Sequence, residues 1–229
     1  MSAEAQVARP LPEQWTLPAI QKYYATFAES YDAEVAAAPA KWPAPQTVGD
    51  WAFKYLQNHH PKTAPKLRVL DVGCGTGRAS AVFFNDPTKF SVTGIDASPE
   101  MMQKARESYP LFDSLQVLDL ESSESWIEFF KDGKRFDAVI SSGVFDFIRD
   151  PLGLLGRCRD VCREGGCCVV TVPVNTLSSD VLLFTQEEQE GFMTSVGWKI
   201  VQKEEIFGYE HSGEVVTYCC YLLVQQDSK

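Results

Sequence analysis

The chain has 229 residues, 45% hydrophobic and 23% charged, which suits one domain with a substantial core and excludes wholesale disorder. With 21 Lys and Arg against 31 Asp and Glu, the net charge of −10 argues against diffuse attraction to nucleic acid or an anionic membrane. The longest apolar run, 167–174, falls far short of the ~20 residues that cross a bilayer, and no apolar block of a secretory signal follows the first Met. The odd count of 7 cysteines, with no Cys-x-x-Cys, reads as reduced thiols packed as small hydrophobes in a cytoplasmic setting, with no metal site.

In chain order, residues 1–17 are polar and proline-bearing, and they read as a flexible arm. Ile20, Tyr23, Tyr24, Phe27, Ala28 and Tyr31 recur at helical spacing behind Pro18, which predicts one long helix. Val48, Trp51, Ala52, Tyr55 and Leu56 keep the same period until Pro61, with His59-His60 as its frayed end. Residues 18–60 are therefore read as helices forming an N-terminal lid, and 61–229 as the main domain. There the texture alternates: predicted strands 67–72, 90–95, 115–118, 136–140 and 167–172 are separated by predicted helices 78–84, 101–108, 125–130 and 152–163. Such alternation requires parallel strands joined by helical crossovers, hence a doubly wound α/β sheet with helices on both faces. Thr185 and Glu188 form a capping box for a further helix ending at Gly197. Strands at 198–207 and 215–224 follow. The 208–214 link is too short for a helical crossover, so these strands should pair antiparallel.

Asp71-Val72-Gly73-Cys74-Gly75-Thr76-Gly77 sits between strand and helix, where bare backbone meets the positive end of a helix. A dinucleotide fingerprint requires glycine at 78, where this chain has Arg78, and a phosphate-binding Gly-Lys-Ser/Thr end is absent. Asp71 just ahead of the loop would repel a pyrophosphate and attract an ammonium. Asp96 ends the second strand 19 residues past Gly77, near the ~20 expected of a carboxylate that grips ribose hydroxyls. A ribose plus a cation without phosphate describes S-adenosylmethionine.

The strings VLDVGCGTGRAS, GIDASPEMMQKAR, VLDLES, FDAVISSGVFDFI and REGGCCVVTVP, in this order over about 67–175, resemble the successive motifs of class I S-adenosylmethionine-dependent methyltransferases. That resemblance implies a Rossmann-like, seven-stranded sheet with the last strand antiparallel. It also implies that Asp71 and the backbone of Gly73, Cys74 and Gly75 hold the methionine part and that Asp96 takes the ribose. Ala97 and Met101 would flank the adenine, Asp119 and Leu120 would read its edge, and Ser141 would close the sulfonium end. The segment from Tyr24 to Asp32 is similar to the lid helix of small-molecule methyltransferases, among them the Williams-Beuren syndrome region group.

Several residues keep two readings. Asp71 and Asp96 could each merely cap a turn, and Asp119 could serve only the solubility of its loop. Met101 and Met102 diverge by ~100°, so one belongs to the core. The Tyr23, Tyr24, Phe27 and Tyr31 face either packs a docked helix or lays hydroxyls over a cleft. Tyr24, Tyr31 and Asp146 are the catalytic candidates, with Glu210 and His211 as further acceptor contacts; Asp146 stands where many relatives have His. The expected activity is methyl transfer to N, O or S of a small-molecule acceptor, recognised through 18–60, the loop after the fourth strand and 173–184, by a monomer or homodimer. The rivals are a protein or RNA methyltransferase, and a non-catalytic S-adenosylmethionine-binding partner subunit.

Overall fold

A computed structural model describes residues 16–37, 42–61, 63–174, 184–211 and 214–226. The N-terminal arm and the core of the 173–184 segment thus lie outside the described residues. Seven strands form one sheet in the order β3-β2-β1-β4-β5-β7-β6. β1 (Leu67–Val72), β2 (Phe90–Asp96), β3 (Ser114–Val117), β4 (Phe136–Ser141) and β5 (Cys162–Pro173) run parallel. β6 (Trp198–His211) and β7 (Glu214–Gln225) pair antiparallel as expected, and β7 is inserted antiparallel beside β5. From β1 the chain winds outward to β3, then returns to place β4 on the opposite side of β1. The carboxyl ends of β1 and β4 therefore flank the switch point, the position where an open α/β sheet leaves a crevice.

Each face of the sheet carries its own core. On one face Leu70, Val139 and Val170 pack with Trp126, Leu154 and Trp198; on the other Val69, Ile140 and Val169 pack with Phe83 and the first long helix. That helix, α3 (Ala44–His59), presents Ala44, Val48, Ala52 and Leu56 as one fully buried stripe, so it lies flat on the sheet. It ends because Pro61 drives His60 into extended backbone at φ −119 and ψ 135, and His59 stacks on Tyr55.

The single N-terminal helix expected from the periodicity is two helices, α1 (Leu17–Ala25) and α2 (Tyr31–Ala37). Between them the Thr26 hydroxyl donates to the Tyr23 carbonyl and the Ser30 hydroxyl to that of Phe27. Such local hydroxyl bonds compete with the helical ladder, and the turn brings Phe27 within 5.0 Å of Tyr31 ring to ring. The helix expected after the glycine loop is a 3-10 helix over Arg78–Asn85. α3 crosses it so closely that a Cβ on Gly49 would lie 2.3 Å from the Ala79 carbonyl oxygen.

α4 (Pro99–Ser108) starts as the sequence requires, with the Ser98 hydroxyl accepting from the Met101 amide, and α5 (Ser123–Phe130) follows β3. α6 (Pro151–Val161) gives way to β5 earlier than expected, at Cys162. The register against β4 slips between Cys162 and Cys167, and Gly165, at φ +76, lies in that irregular stretch. α7 (Gln186–Ser195) carries the capping box of Thr185 and Glu188. All seven cysteines are buried free thiols, Cys158 and Cys162 within the core. No helix among the described residues is long and apolar enough to cross a membrane.

Candidate functional site

The loop between β1 and the 3-10 helix bends through Gly73, Gly75 and Gly77, all at positive φ. The amides of Gly73 and Cys74 donate to the Ile95 carbonyl at 2.8 and 3.0 Å, which anchors the loop on the end of β2. Asp96 completes the anchor: its Oδ2 accepts from the Gly75 amide and its Oδ1 from the Ser98 amide, each at 2.8 Å. Burial raises the Asp96 carboxyl above its usual range, while the Ser98, Gly75 and Ala97 amides pull it down. Each oxygen keeps a further lone pair for an incoming hydroxyl.

This carboxylate lines a cleft of about 100 Å³ at the switch point. Gly73, Gly75, Ala97 and Met101 form its floor, and Asp119, Leu120 and Glu121 one wall. The expected split between the methionines is seen: Met101 reaches the cleft, whereas Met102 is fully buried with its Sδ 3.5 Å from the Cys74 Sγ. Asp119 accepts the Glu121 amide at 3.0 Å.

Four of the sequence-derived site residues do not face the cleft. Asp71 is only 1% exposed and accepts a hydrogen bond from the Ser80 hydroxyl at 2.7 Å under the loop. Burial, opposed by Ser80 and assisted by the Asp96 charge, pushes its carboxyl up to about 7. Asp71 is therefore turned away from the cleft. Cys74 is buried against Met102. Ser141 donates to the Val72 carbonyl at 2.9 Å and so ties the ends of β1 and β4 together. Its neighbour Ser142 lines the cleft instead, with a buried hydroxyl that has no hydrogen-bond partner among the described residues. Asp146 sits just past the cleft in a short 3-10 turn, where it accepts from the Tyr218 hydroxyl. The side chains of Glu210 and His211 lie outside the described residues.

From the sequence, the loop after the fourth strand is expected only to recognise an acceptor, with no indication of which residues form this wall. Gly143, Val144, Phe147, Ile148 and Arg149 line the cleft from the loop after β4. Glu121 fastens that loop to the one after β3: it accepts the amides of Arg149 at 2.8 Å and Asp150 at 3.2 Å and pairs with the Arg149 guanidinium. The FDAVISSGVFDFI string was the available signal for this wall, but it could not say which side chains turn inward.

α1 and α2 close the cleft from above through Leu17, Ile20, Tyr24 and Tyr31. They are held by Gln21 donating to the Ala97 carbonyl at 3.0 Å, Thr76 donating to Asp32 at 2.7 Å and a Glu29–Lys104 pair at 2.7 Å. Enclosure pushes the Tyr31 phenol up to about 12. The Tyr24 phenol is also raised well above its usual value, first by burial, then by Tyr31, Tyr23 and the charges of Asp96 and Asp146. Both are neutral donors at physiological pH.

A glycine loop bonded to a ribose-spaced carboxylate, at the switch point of a doubly wound sheet, defines a nucleoside-binding α/β protein. Comparison with known proteins narrows the class. A methyltransferase-domain family profile matches residues 70–168. Phosphatidylethanolamine N-methyltransferase of Cereibacter sphaeroides is 30% identical over 159 residues, 66% of this chain and 75% of that protein. An uncharacterized methyltransferase of Schizosaccharomyces pombe is 30% identical over 157 residues, 66% of this chain and 52% of its own. Among solved structures, an S-adenosylmethionine-dependent methyltransferase of Clostridium acetobutylicum superposes with a TM-score of 0.61 at 15% identity, covering 90% of this chain and all of that one. The chain belongs to the S-adenosylmethionine-dependent class I methyltransferases. It spans about half the length of the Schizosaccharomyces pombe relative and 45% of a malonyl-acyl-carrier-protein O-methyltransferase of Paenibacillus that it also matches.

The residues present fit the family's cofactor. Asp96 offers the acceptors that ribose hydroxyls require, Gly73 and Gly75 leave the backbone bare, and Ser142 brings an unpartnered hydroxyl to the same cleft. The fold alone does not assign a reaction: a (4+2)-cyclase superposes with a TM-score of 0.68 at 14% identity over 96% of this chain and 99% of its own.

Proposed function

We propose that this protein transfers the methyl group of S-adenosylmethionine to a nucleophilic N, O or S of a small-molecule acceptor. The observation that carries the reading is the Asp96 carboxylate, hydrogen-bonded to the Gly75 amide at the end of β2 and open to the cleft. When bound, the cofactor supplies a methyl carbon on a sulfonium that is already a good leaving group. The protein's work is then to align, to desolvate and to hold protons where they are needed. Asp96 accepts the ribose hydroxyls, while Ala97 and Met101 flank the adenine and Asp119 with the Leu120 backbone reads its edge. The bare backbone of the Gly73–Gly75 loop, its amides already committed to Ile95 and Asp96, borders the methionine end. Leu17, Ile20, Tyr24 and Tyr31 of the lid exclude water.

A small acceptor is supported by the net charge of −10, which disfavours RNA. It is supported also by relatives whose names specify modest acceptors: a trans-aconitate 2-methyltransferase of Deinococcus radiodurans and a ubiquinone biosynthesis O-methyltransferase of Cereibacter sphaeroides. A cytoplasmic setting suits its buried free thiols.

Labelled methyl donor, incubated with the protein and a cell extract split into small-molecule, protein and RNA fractions, tests the reading. Label in the small-molecule fraction is expected. Label confined to protein or RNA, or binding of the donor without any transfer, contradicts it.

A further inference from the structure

Past the end of the cleft, Asp146 is 7% exposed, and its two oxygens are treated differently. Oδ2 accepts from the Tyr218 hydroxyl, whereas Oδ1 is buried with no hydrogen-bond partner among the described residues. A buried carboxylate oxygen lacking a donor is costly, so a fold that keeps one is expected to meet its donor on a ligand. The surroundings are aromatic. The Trp42 ring lies 5.0 Å from that of Tyr218, and it presses so closely on the loop after β4 that a Cβ on Gly143 would lie 3.0 Å from it. Tyr218 is seated against Gly208, where a Cβ would meet the ring at 2.5 Å. On the lid side, Tyr24 packs edge-on to Phe147 at 5.8 Å, next in sequence to Asp146.

A carboxylate oxygen in want of a donor, with aromatic rings packed on its partner Tyr218 and its neighbour Phe147, is chemistry that selects a cation over a neutral alcohol and rejects an anion. Tyr24 connects this place to the cofactor end, since it lines the cleft together with Asp96 and packs on Phe147, the residue next to Asp146.

We propose that Asp146, with Tyr24, Trp42 and Tyr218 around it, forms the acceptor subsite for a small organic ammonium ion, and that Asp146 takes the proton that must leave the nitrogen before methylation. This rests on the methyltransferase reading above. In the step, an N–H bond breaks and its proton passes to Oδ1. The nitrogen lone pair then forms the bond to the methyl carbon, and the C–S electron pair stays on sulfur as the leaving thioether. Asp146 afterwards returns its proton to solvent. Burial, opposed by the hydrogen bonds of Tyr218 and of its own amide, places this carboxyl at about 6, a value suited to accepting and releasing that proton near neutral pH.

Benzylammonium, benzyl alcohol and benzoate are near-isosteric probes of this assignment. Each is titrated by calorimetry at about pH 8, where an alkyl amine is protonated, into the protein saturated with S-adenosylhomocysteine. The ammonium is expected to bind about tenfold or more tighter than the alcohol, with benzoate weakest. Asp146→Asn keeps an acceptor for Tyr218 and should erase the preference. Melting curves report whether this variant is folded. Equal binding of the three probes, no ammonium binding up to about 10 mM, or a preference that survives Asp146→Asn overturns the assignment. Failure of S-adenosylhomocysteine itself to bind instead contradicts the cofactor reading.

Discussion

Asp96→Ala is expected to weaken binding of S-adenosylmethionine by about 100-fold or more, because two hydrogen bonds from ribose hydroxyls to a carboxylate, at about 1.5–3 kcal/mol each, are lost together. The substitution also strips the Gly75 and Ser98 amides of the partners that they hold at 2.8 Å. An unpartnered amide costs about 1–3 kcal/mol, so the loop loses its fastening to β2 as well as its ligand contact. Asp96→Asn separates the two effects, since its remaining carbonyl oxygen can keep one amide while the charge is gone. Titration calorimetry on both variants reads the outcome. Affinity within threefold of the parent for Asp96→Ala would show that the ribose lies elsewhere.

Gly73→Ala should carry the largest structural penalty in the site. Its Cβ would fall 2.2 Å from the Val144 Cγ2, at a φ of +67. The left-handed backbone costs an L residue about 1–2 kcal/mol, and forcing a methyl into a packed site costs about 1–3 more. A fall in Tm of roughly 5–15 °C follows for a domain of this size. Shortening the facing residue relieves only the clash, so Gly73→Ala with Val144→Ala should recover part of the loss and leave the backbone cost. A non-additivity of about 1 kcal/mol or more between the two substitutions is the signature of that contact. Additive behaviour in thermal melts would mean that the loop moves away from Val144 at little cost.

The sequence carried the parallel sheet and the terminal hairpin because both follow from local arithmetic. Alternating strand and helix periods demand crossovers, and the short link after 207 forbids one. The glycine loop and Asp96 were legible for the same reason: spacing along one βαβ unit fixes their relation in space. Asp71 shows where that logic stops. A position at a strand end does not tell which way the side chain leaves the loop, and here it turns under the bend to meet Ser80. Ser141 and Ser142 differ by a single step of a strand's two-residue period, so one hydroxyl ties β4 to β1 while the next faces the cleft. Glu121 and Arg149 are 28 positions apart and belong to different loops, a pairing that no periodicity announces. The lid's break at Thr26–Ser30 was hidden by an aromatic spacing that serves one helix and two short ones equally well.

Direct titration of the unmodified protein with S-adenosylhomocysteine, NADH and ATP in parallel bears most directly on whether this cleft holds an unphosphorylated, amine-bearing nucleoside. Saturable binding of S-adenosylhomocysteine at about micromolar affinity is expected, with the two phosphorylated nucleotides at least about 100-fold weaker. NADH or ATP binding as tightly as the thioether nucleoside, or none of the three binding, would contradict the account.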